Sequence, residues 1–381
     1  MSSISSRAFR VALFHPALIH GGIQRVFLNL ASGFLEHGLA VDLVQATPGG
    51  GLQDQVPAGV RVVDLNASRA LTSVLPLVRY LRRERPDAVI SGAIQTNIAA
   101  VWARRLAGVP IRLVLTEHNT ISAIAKDAPM FRTRITPIFM RHFYTWADAL
   151  VAVSEGVAKD LASIMHVQRD AVRVIYNPVI GREFWLRSDE PLDDEKFASD
   201  SRQTILAVGR LHFQKDYPTL LSAFATVRKG TNARLVVLGD GEERERLAAM
   251  ARRLEIESSV EFLGNVANPL PYMKHSTVLA LSSVMEGLPT VLIEALAVGL
   301  PIVATDCPSG PREILCDGAY GTLVPVGECS ALANVLLDLL SKPRPRAVPP
   351  HALQRFAHDT AISNYLDVLG FHDRVKTGSV T

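Results

Sequence analysis

The chain has 381 residues, more than one typical hydrophobic core accommodates, so two domains are expected. With 48% hydrophobic and 20% charged residues it is a globular protein rather than a disordered one, and no nucleic-acid partner is expected at a net charge of +3. That charge is unevenly placed: residues 1–185 carry 20 Lys or Arg against 13 Asp or Glu, and the remainder 20 against 24, so the first half suits an anionic partner or surface unless its excess is simply solvated.

The N-terminus makes a poor signal peptide, because His15 and Pro16 break its apolar run. Val11–Phe14 within it reads as a short buried strand. A loop closing on Gly21 and Gly22 follows, then a helix through Val26, Leu30 and Phe34, stopped by Gly38. A strand, a glycine turn and a helix N-terminus form either a phosphate site or a plain tight turn, since GGIQR lacks the G-x-G-x-x-G spacing.

Further strands are expected at 40–46, 60–65, 88–91, 111–115, 149–153 and 172–176, with helices at 74–85, 98–106 and 138–146. This alternation predicts an α/β fold with a parallel sheet covered on both faces, which binds ligands beyond the carboxyl ends of its strands. His118, in Thr116-Glu117-His118-Asn119, falls at such an end, as a functional group or as a structural hydrogen-bonding one. Residues 126–146 mix Lys126, Arg132, Arg134 and Arg141 with Met130, Phe131, Ile135, Ile138, Phe139, Phe143 and Trp146, and Asp127 is the one acid. That mixture suits a membrane interface or a lipid-linked anionic substrate; the alternative is an ordinary core helix with a solvated face.

Residues 187–202, rich in Asp, Glu and Ser, read as a linker. A second alternating series has strands at 204–208, 234–238, 260–263, 278–281, 302–304 and 321–324, and helices at 217–227, 243–254, 290–298 and 331–340. A final helix around 352–369 follows a proline-rich stretch. Arg210 and Lys215, flanking one strand exit after Gly209, have the charges to grip a diphosphate. Gly239-Asp240-Gly241 is a tight turn, structural or close to a nucleotide. Cys307, Cys316 and Cys329 show no metal-type spacing and argue for a reducing compartment. No run of about 18 apolar residues occurs, so the expected location is cytoplasmic, at most peripheral on the inner face of the cell membrane.

The stretch from Ser282 to Gly310 is the most distinctive. Glu286 and Glu294 bracket Gly287, Leu288 and Pro289, with Pro289 suited to the first position of the helix that carries Glu294, which has no polar face and is expected to be buried all round. A carboxylate inside such a helix needs a polar partner, either a backbone or arginine group of the protein or the hydroxyls of a ligand.

Glu286-x7-Glu294, the Gly209-Arg210-Leu211 to Lys215 loop, Gly239–Gly241 and the His118 loop together resemble the family 4 retaining glycosyltransferases over nearly the whole chain. The resemblance implies the GT-B architecture: two Rossmann-like β/α/β domains facing each other across a cleft. Here these would be an acceptor-side domain over 1–186, a nucleotide-sugar-binding domain over 203–350, and a C-terminal helix within 351–381 placed to pack back on the first domain. It implies a nucleotide-sugar donor, no cofactor and no metal. Arg210 and Lys215 would neutralise the donor diphosphate, Glu294 would bind the ribose, and Glu286 with the backbone from Gly287 to Thr290 would hold the donor sugar. Gly21 and Gly22 would approach the donor from the other domain, and His118 would face the sugar. Asp216 departs from a common glycine and Asn119 from a common aspartate. Asp306–Glu313 is similar to bacterial members that build polysaccharide repeat units, which suggests a saccharide or lipid-linked acceptor.

The expected chemistry is front-face retention, in which cations and a helix N-terminus oppose the charge growing on the leaving diphosphate. Glu286 as a covalent nucleophile is the alternative. A GT-B-like sugar-nucleotide 2-epimerase and a non-catalytic sugar-nucleotide-binding partner are the competing functions.

Overall fold

The computed structural model describes residues 8–18, 22–127, 131–341 and 348–371, except for the side chains of 125–134. By contact the chain divides into two units: Met1–Pro178 with Phe356–Thr381, and Val179–Arg355. The first unit begins with β1 (Arg10–His15), α1 (Gly22–Glu36), β2 (Ala40–Gln45), β3 (Arg61–Asp64), α2 (Val74–Glu84), β4 (Ala88–Gly92) and α3 (Ile94–Ala107). It continues through β5 (Arg112–Glu117), α4 (Ile121–Asp127), α5 (Phe131–Phe143), β6 (Ala149–Ala152), α6 (Glu155–Met165) and β7 (Val172–Val174).

The second unit contains α7 (Arg182–Ser188), α8 (Glu195–Ser199), β8 (Thr204–Val208), α9 (Tyr217–Arg228), β9 (Arg234–Leu238), α10 (Arg244–Arg253), β10 (Val260–Gly264) and α11 (Leu270–Lys274). After these come β11 (Val278–Leu281), α12 (Thr290–Ala297), β12 (Ile302–Thr305), α13 (Pro311–Ile314), β13 (Thr322–Val324), α14 (Cys329–Ser341) and α15 (Pro350–Gln354). The last helix, α16 (His358–Leu369), belongs to the first unit.

Both sheets are parallel throughout, which requires cover on both faces and explains the continuous apolar strands. Their orders are β3-β2-β1-β4-β5-β6-β7 and β10-β9-β8-β11-β12-β13. Each order reverses at one point, between β1 and β4 in the first sheet and between β8 and β11 in the second. Ligands of doubly wound sheets bind at that reversal, beyond the carboxyl ends.

In the first unit, Phe27, Leu30 and Phe34 of α1 share a core with Ile362, Tyr365 and Leu366 of α16. Gly33 permits this packing, because a Cβ there would lie 2.4 Å from Ile362. The single final helix expected around 352–369 is two helices, α15 and α16, divided by the buried Phe356.

Residues 187–202 are not a free linker. Phe197 is buried, and the buried Arg234 guanidinium lies over its ring at 4.3 Å, donates to its carbonyl at 2.8 Å and pairs with Asp200 at 3.2 Å. A buried guanidinium needs such partners, and composition alone could not reveal that α8 supplies them. Of the other helices absent from the sequence reading, α4, α7, α11 and α13 are short, whereas α6 has a regular buried stripe of Val157, Ala158, Leu161, Ala162 and Met165 behind its Ser154 N-cap, a signal the sequence carried. Among the described residues no helix is long and apolar enough to cross a membrane.

Candidate active site

In the second unit the loops after β8 and β11, the two strands at the reversal, are stitched together. The Gln214 side chain donates to the Met285 carbonyl at 2.9 Å, the Val284 N–H to the Gln214 carbonyl at 2.9 Å, and the Ser282 hydroxyl to the Lys215 carbonyl at 2.7 Å. This stitching brings Lys215 Nζ within 2.6 Å of Glu286 Oε1, which also accepts from the Ser283 hydroxyl at 2.6 Å. Both members of the ion pair are largely withdrawn from solvent. Arg210 is exposed on the same loop. His212 is held below its usual range by burial first and then by Arg210, against Glu242, whose carboxylate lies 3.4 Å from its Nε2.

Asp216, the departure from a family glycine, occupies a left-handed position at φ 45°. Aspartate tolerates that conformation. It also caps α9, accepting from the Thr219 hydroxyl at 2.6 Å and from its N–H at 3.4 Å. Gly239 and Gly241 have a packing reason: a Cβ on them would fall 2.1 Å from the Gly209 carbonyl oxygen and 2.3 Å from that of Leu211.

The helix carrying Glu294 differs from expectation in two respects. Pro289 is its N-cap residue rather than its first helical residue. The helix is also not buried all round: Thr290, Glu294 and Ala297 form a partly exposed stripe at helical spacing, while Val291, Leu292, Ile293, Ala295 and Leu296 are buried. Hydrophobicity did not reveal the stripe, because alanine there looks the same as alanine in a core.

The β12–α13 loop underlies the Gly287–Pro289 turn. Thr305 donates to the Ser283 carbonyl at 2.6 Å, and Ser309 to the Gly287 carbonyl at 2.9 Å. In a planar trans peptide the Leu288 N–H then points away from that loop. Gly310 is at φ 89°, and a Cβ on it would meet Pro289 Cδ at 2.4 Å. Cys307 is buried, and its thiol is pushed up to about 12 by desolvation and then by Glu286. Ser283, Thr305 and Ser309 were not singled out from sequence; small hydroxyl residues near a loop give no signal until the fold supplies their partners.

In the first unit Gly22 opens α1, and a Cβ there would meet nothing within 4 Å, so packing alone does not demand glycine. Gly21 lies outside the described residues. His118 follows β5 and is 8% exposed. Its Nε2 is 3.0 Å from Thr116 Oγ1, and burial lowers its pKa to about 4. On the other side of the strand, Glu117 accepts from the Tyr144 hydroxyl at 2.5 Å and from Asn97 at 2.9 Å, yet full desolvation raises its carboxyl to about 7. His15, at the end of β1, is buried, and desolvation, opposed by a backbone contact at Ala17, lowers it to about 4.

Residues 126–146 are partly buried and partly exposed. Met140 and Tyr144 are core residues, whereas Ile138 and Phe139 are 69% and 45% exposed. Phe143 and Trp146 join Trp102 of α3 in a ring cluster with centroids 5.3–5.4 Å apart, and Arg105 lies over Trp146 at 4.8 Å. Trp102 and Arg105 come from a different segment and were not in the sequence reading. The side chains of Lys126, Asp127, Met130, Phe131, Arg132 and Arg134 lie outside the described residues.

Two family models match the chain: Glycosyltransferase Family 4 over residues 20–180, and Glycosyl transferases group 1 over residues 189–352. An uncharacterized glycosyltransferase of Methanocaldococcus jannaschii is 29% identical over 256 residues, 65% of this chain and 62% of that one. A Campylobacter jejuni N-acetylgalactosamine-N,N'-diacetylbacillosaminyl-diphospho-undecaprenol 4-alpha-N-acetylgalactosaminyltransferase is 31% identical over 245 residues, 64% of each chain. The chain thus spans less than two thirds of the length of these two relatives. The crystal structure of Anabaena HepE in complex with UDP and glucose superimposes with a TM-score of 0.78 over 95% of this chain and 99% of that one, at 19% identity. The chain belongs to the family 4 glycosyltransferases and has the GT-B fold.

Proposed function

We propose that this family 4 glycosyltransferase moves a sugar from a nucleotide-sugar donor to a lipid-linked saccharide in polysaccharide or glycolipid assembly, with retention of configuration and without a divalent metal. The observation that carries the donor assignment is the Lys215–Glu286 pair beside the start of α12. One cation suited to phosphate and one carboxylate suited to sugar hydroxyls stand a hydrogen bond apart, as the diphosphate and sugar ring of one donor require. Arg210 and Lys215 meet the diphosphate and oppose its growing charge during transfer. Glu286, with the backbone of Gly287, Leu288, Pro289 and Thr290, holds the sugar, and Glu294 takes the ribose hydroxyls from its partly exposed stripe. Gly22 leaves room for the donor, and His118 faces the sugar.

Glu286 Oε1 already accepts from Lys215 and Ser283. Both contacts stabilise the carboxylate and make it a poorer nucleophile, which favours front-face retention over a covalent intermediate. The lipid-linked acceptor is supported by the diphospho-undecaprenol substrate in the Campylobacter relative's name. The exposed Ile138 and Phe139, with Arg105 and Arg141 nearby, favour peripheral contact with an anionic membrane on its cytoplasmic face.

Incubation with radiolabelled nucleotide sugars and membrane extract tests the whole reading. Label entering the lipid phase, unaffected by EDTA, is the expected result. A new soluble sugar nucleotide would instead indicate a 2-epimerase, and a strict metal requirement would overturn the metal-free mechanism. Ile138→Ser with Phe139→Ser should reduce sedimentation with phosphatidylglycerol vesicles; unchanged sedimentation removes the membrane contact.

A further inference from the structure

The end of β5 holds a hydrogen-bond relay with a fixed direction. Thr116 Oγ1 stands 3.0 Å from the Ser91 carbonyl oxygen and 3.0 Å from His118 Nε2. A hydroxyl has one proton to give, and a carbonyl oxygen can only accept. The Thr116 proton therefore goes to Ser91, and the Thr116 oxygen accepts the hydrogen on His118 Nε2. Thr116, Ser91 and His118 are all buried, which keeps water from rearranging the relay. A neutral imidazole carries one N–H, so with that hydrogen on Nε2 its Nδ1 is a bare lone pair. Burial lowers His118 to about 4, so no second proton arrives near neutrality.

Packing holds the ring in place. Phe27 lies at a centroid distance of 6.4 Å from His118. Gly92 makes the space, since a Cβ there would fall 2.7 Å from the Phe27 ring and 2.9 Å from Thr116 Oγ1.

We propose that Thr116 is a positioning residue that locks His118 in the Nε2–H tautomer and so presents Nδ1 as a hydrogen-bond acceptor to a substrate hydroxyl. A lone pair repels phosphate oxygens, so the group it recognises is a sugar or acceptor hydroxyl rather than the diphosphate. The recognition step rests on the reading of His118 as a substrate-facing group; the tautomer does not.

Long-range nitrogen–proton spectra of the ¹⁵N-labelled protein test the lock directly, with the His118 signals assigned by their loss in His118→Gln. The expected pattern is a protonated Nε2 and a pyridine-like Nδ1 in the wild type and in Thr116→Ser. Thr116→Val, of similar shape but without the hydroxyl, should give mixed tautomers. On the best donor of a nucleotide-sugar panel led by UDP-glucose, Thr116→Val should lower kcat by about tenfold and leave donor KM within about twofold, the loss of one hydrogen bond's worth of positioning. Thr116→Ser should recover most of that kcat, and similar melting temperatures establish that both variants fold. A wild-type proton on Nδ1 overturns the proposal, as does unchanged tautomer and kcat in Thr116→Val. The expected spectrum combined with full kcat in His118→Gln overturns the recognition step alone, and with it the substrate-facing reading of His118.

Discussion

The two sheets share one topology but load their carboxyl ends in opposite ways. At the reversal of the second sheet the loops deliver charge, with Lys215 and Glu286 already paired and Arg210 exposed on the same loop as Lys215. In the first sheet, His15 at the reversal and His118 one strand beyond are neutral imidazoles desolvated by their surroundings. The topology therefore fixes where a ligand is met, and the loop chemistry fixes what kind. The charged end suits a diphosphate and its sugar, and the neutral end suits hydroxyl groups.

The sharpest way to break this contrast is to remove the charge. Lys215→Ala with Arg210→Ala should lower kcat/KM by at least about 10²–10³-fold, the scale of losing electrostatic stabilisers of a developing anion. Calorimetry of nucleotide-sugar binding should show the same weakening, and a fully active double variant would remove the diphosphate assignment. Because Lys215→Ala leaves the buried Glu286 carboxylate without this partner, a drop in melting temperature should accompany it.

The neutral end is tested by pH. His118 and His15 have folded pKa values below the unfolded value, so the unfolded chain takes up protons first as pH falls, and stability is lost from about 6.5 towards 4. Glu117 acts in the other direction: its folded pKa is above the unfolded one, so its contribution is full at acid pH and lost as pH rises from about 4.5 towards 7. Glu117→Gln should therefore gain stability relative to wild type across that window, on the order of 3 kcal/mol by pH 8. Denaturant melts at pH 5 and pH 8 measure the difference; a gap that does not grow with pH would mean that Glu117 is ionised when buried.

The smallest expected effect concerns the support beneath the charged end. Ser309→Ala removes its hydrogen bond to the Gly287 carbonyl and should raise donor KM by roughly three- to tenfold, one hydrogen bond's worth, with little change in melting temperature. An unchanged KM would show that the turn holds its orientation without Ser309.

Much of this site was legible in the chain because its chemistry-bearing residues sit in short loops directly after apolar strands. Arg210, Lys215, Glu286 and His118 could be placed at strand ends by counting alone, and both sheets follow from alternating strands and helices. Glu294 was found as a charge in an apolar helix, although the partly exposed stripe it occupies was not visible.

What the sequence determined by itself was therefore the α/β class, the order of elements, and the charged residues at the strand ends, since local periodicity and turn chemistry encode all three. Partnership between residues distant in the chain was left to the tertiary structure: Lys215 with Glu286, Ser309 with Gly287, Trp102 with Trp146, and α16 with α1. The desolvation that makes His118 neutral and Glu117 hard to ionise was also decided there. These depend on which loops the parallel crossovers bring together and how much water they exclude, and no local pattern specifies either.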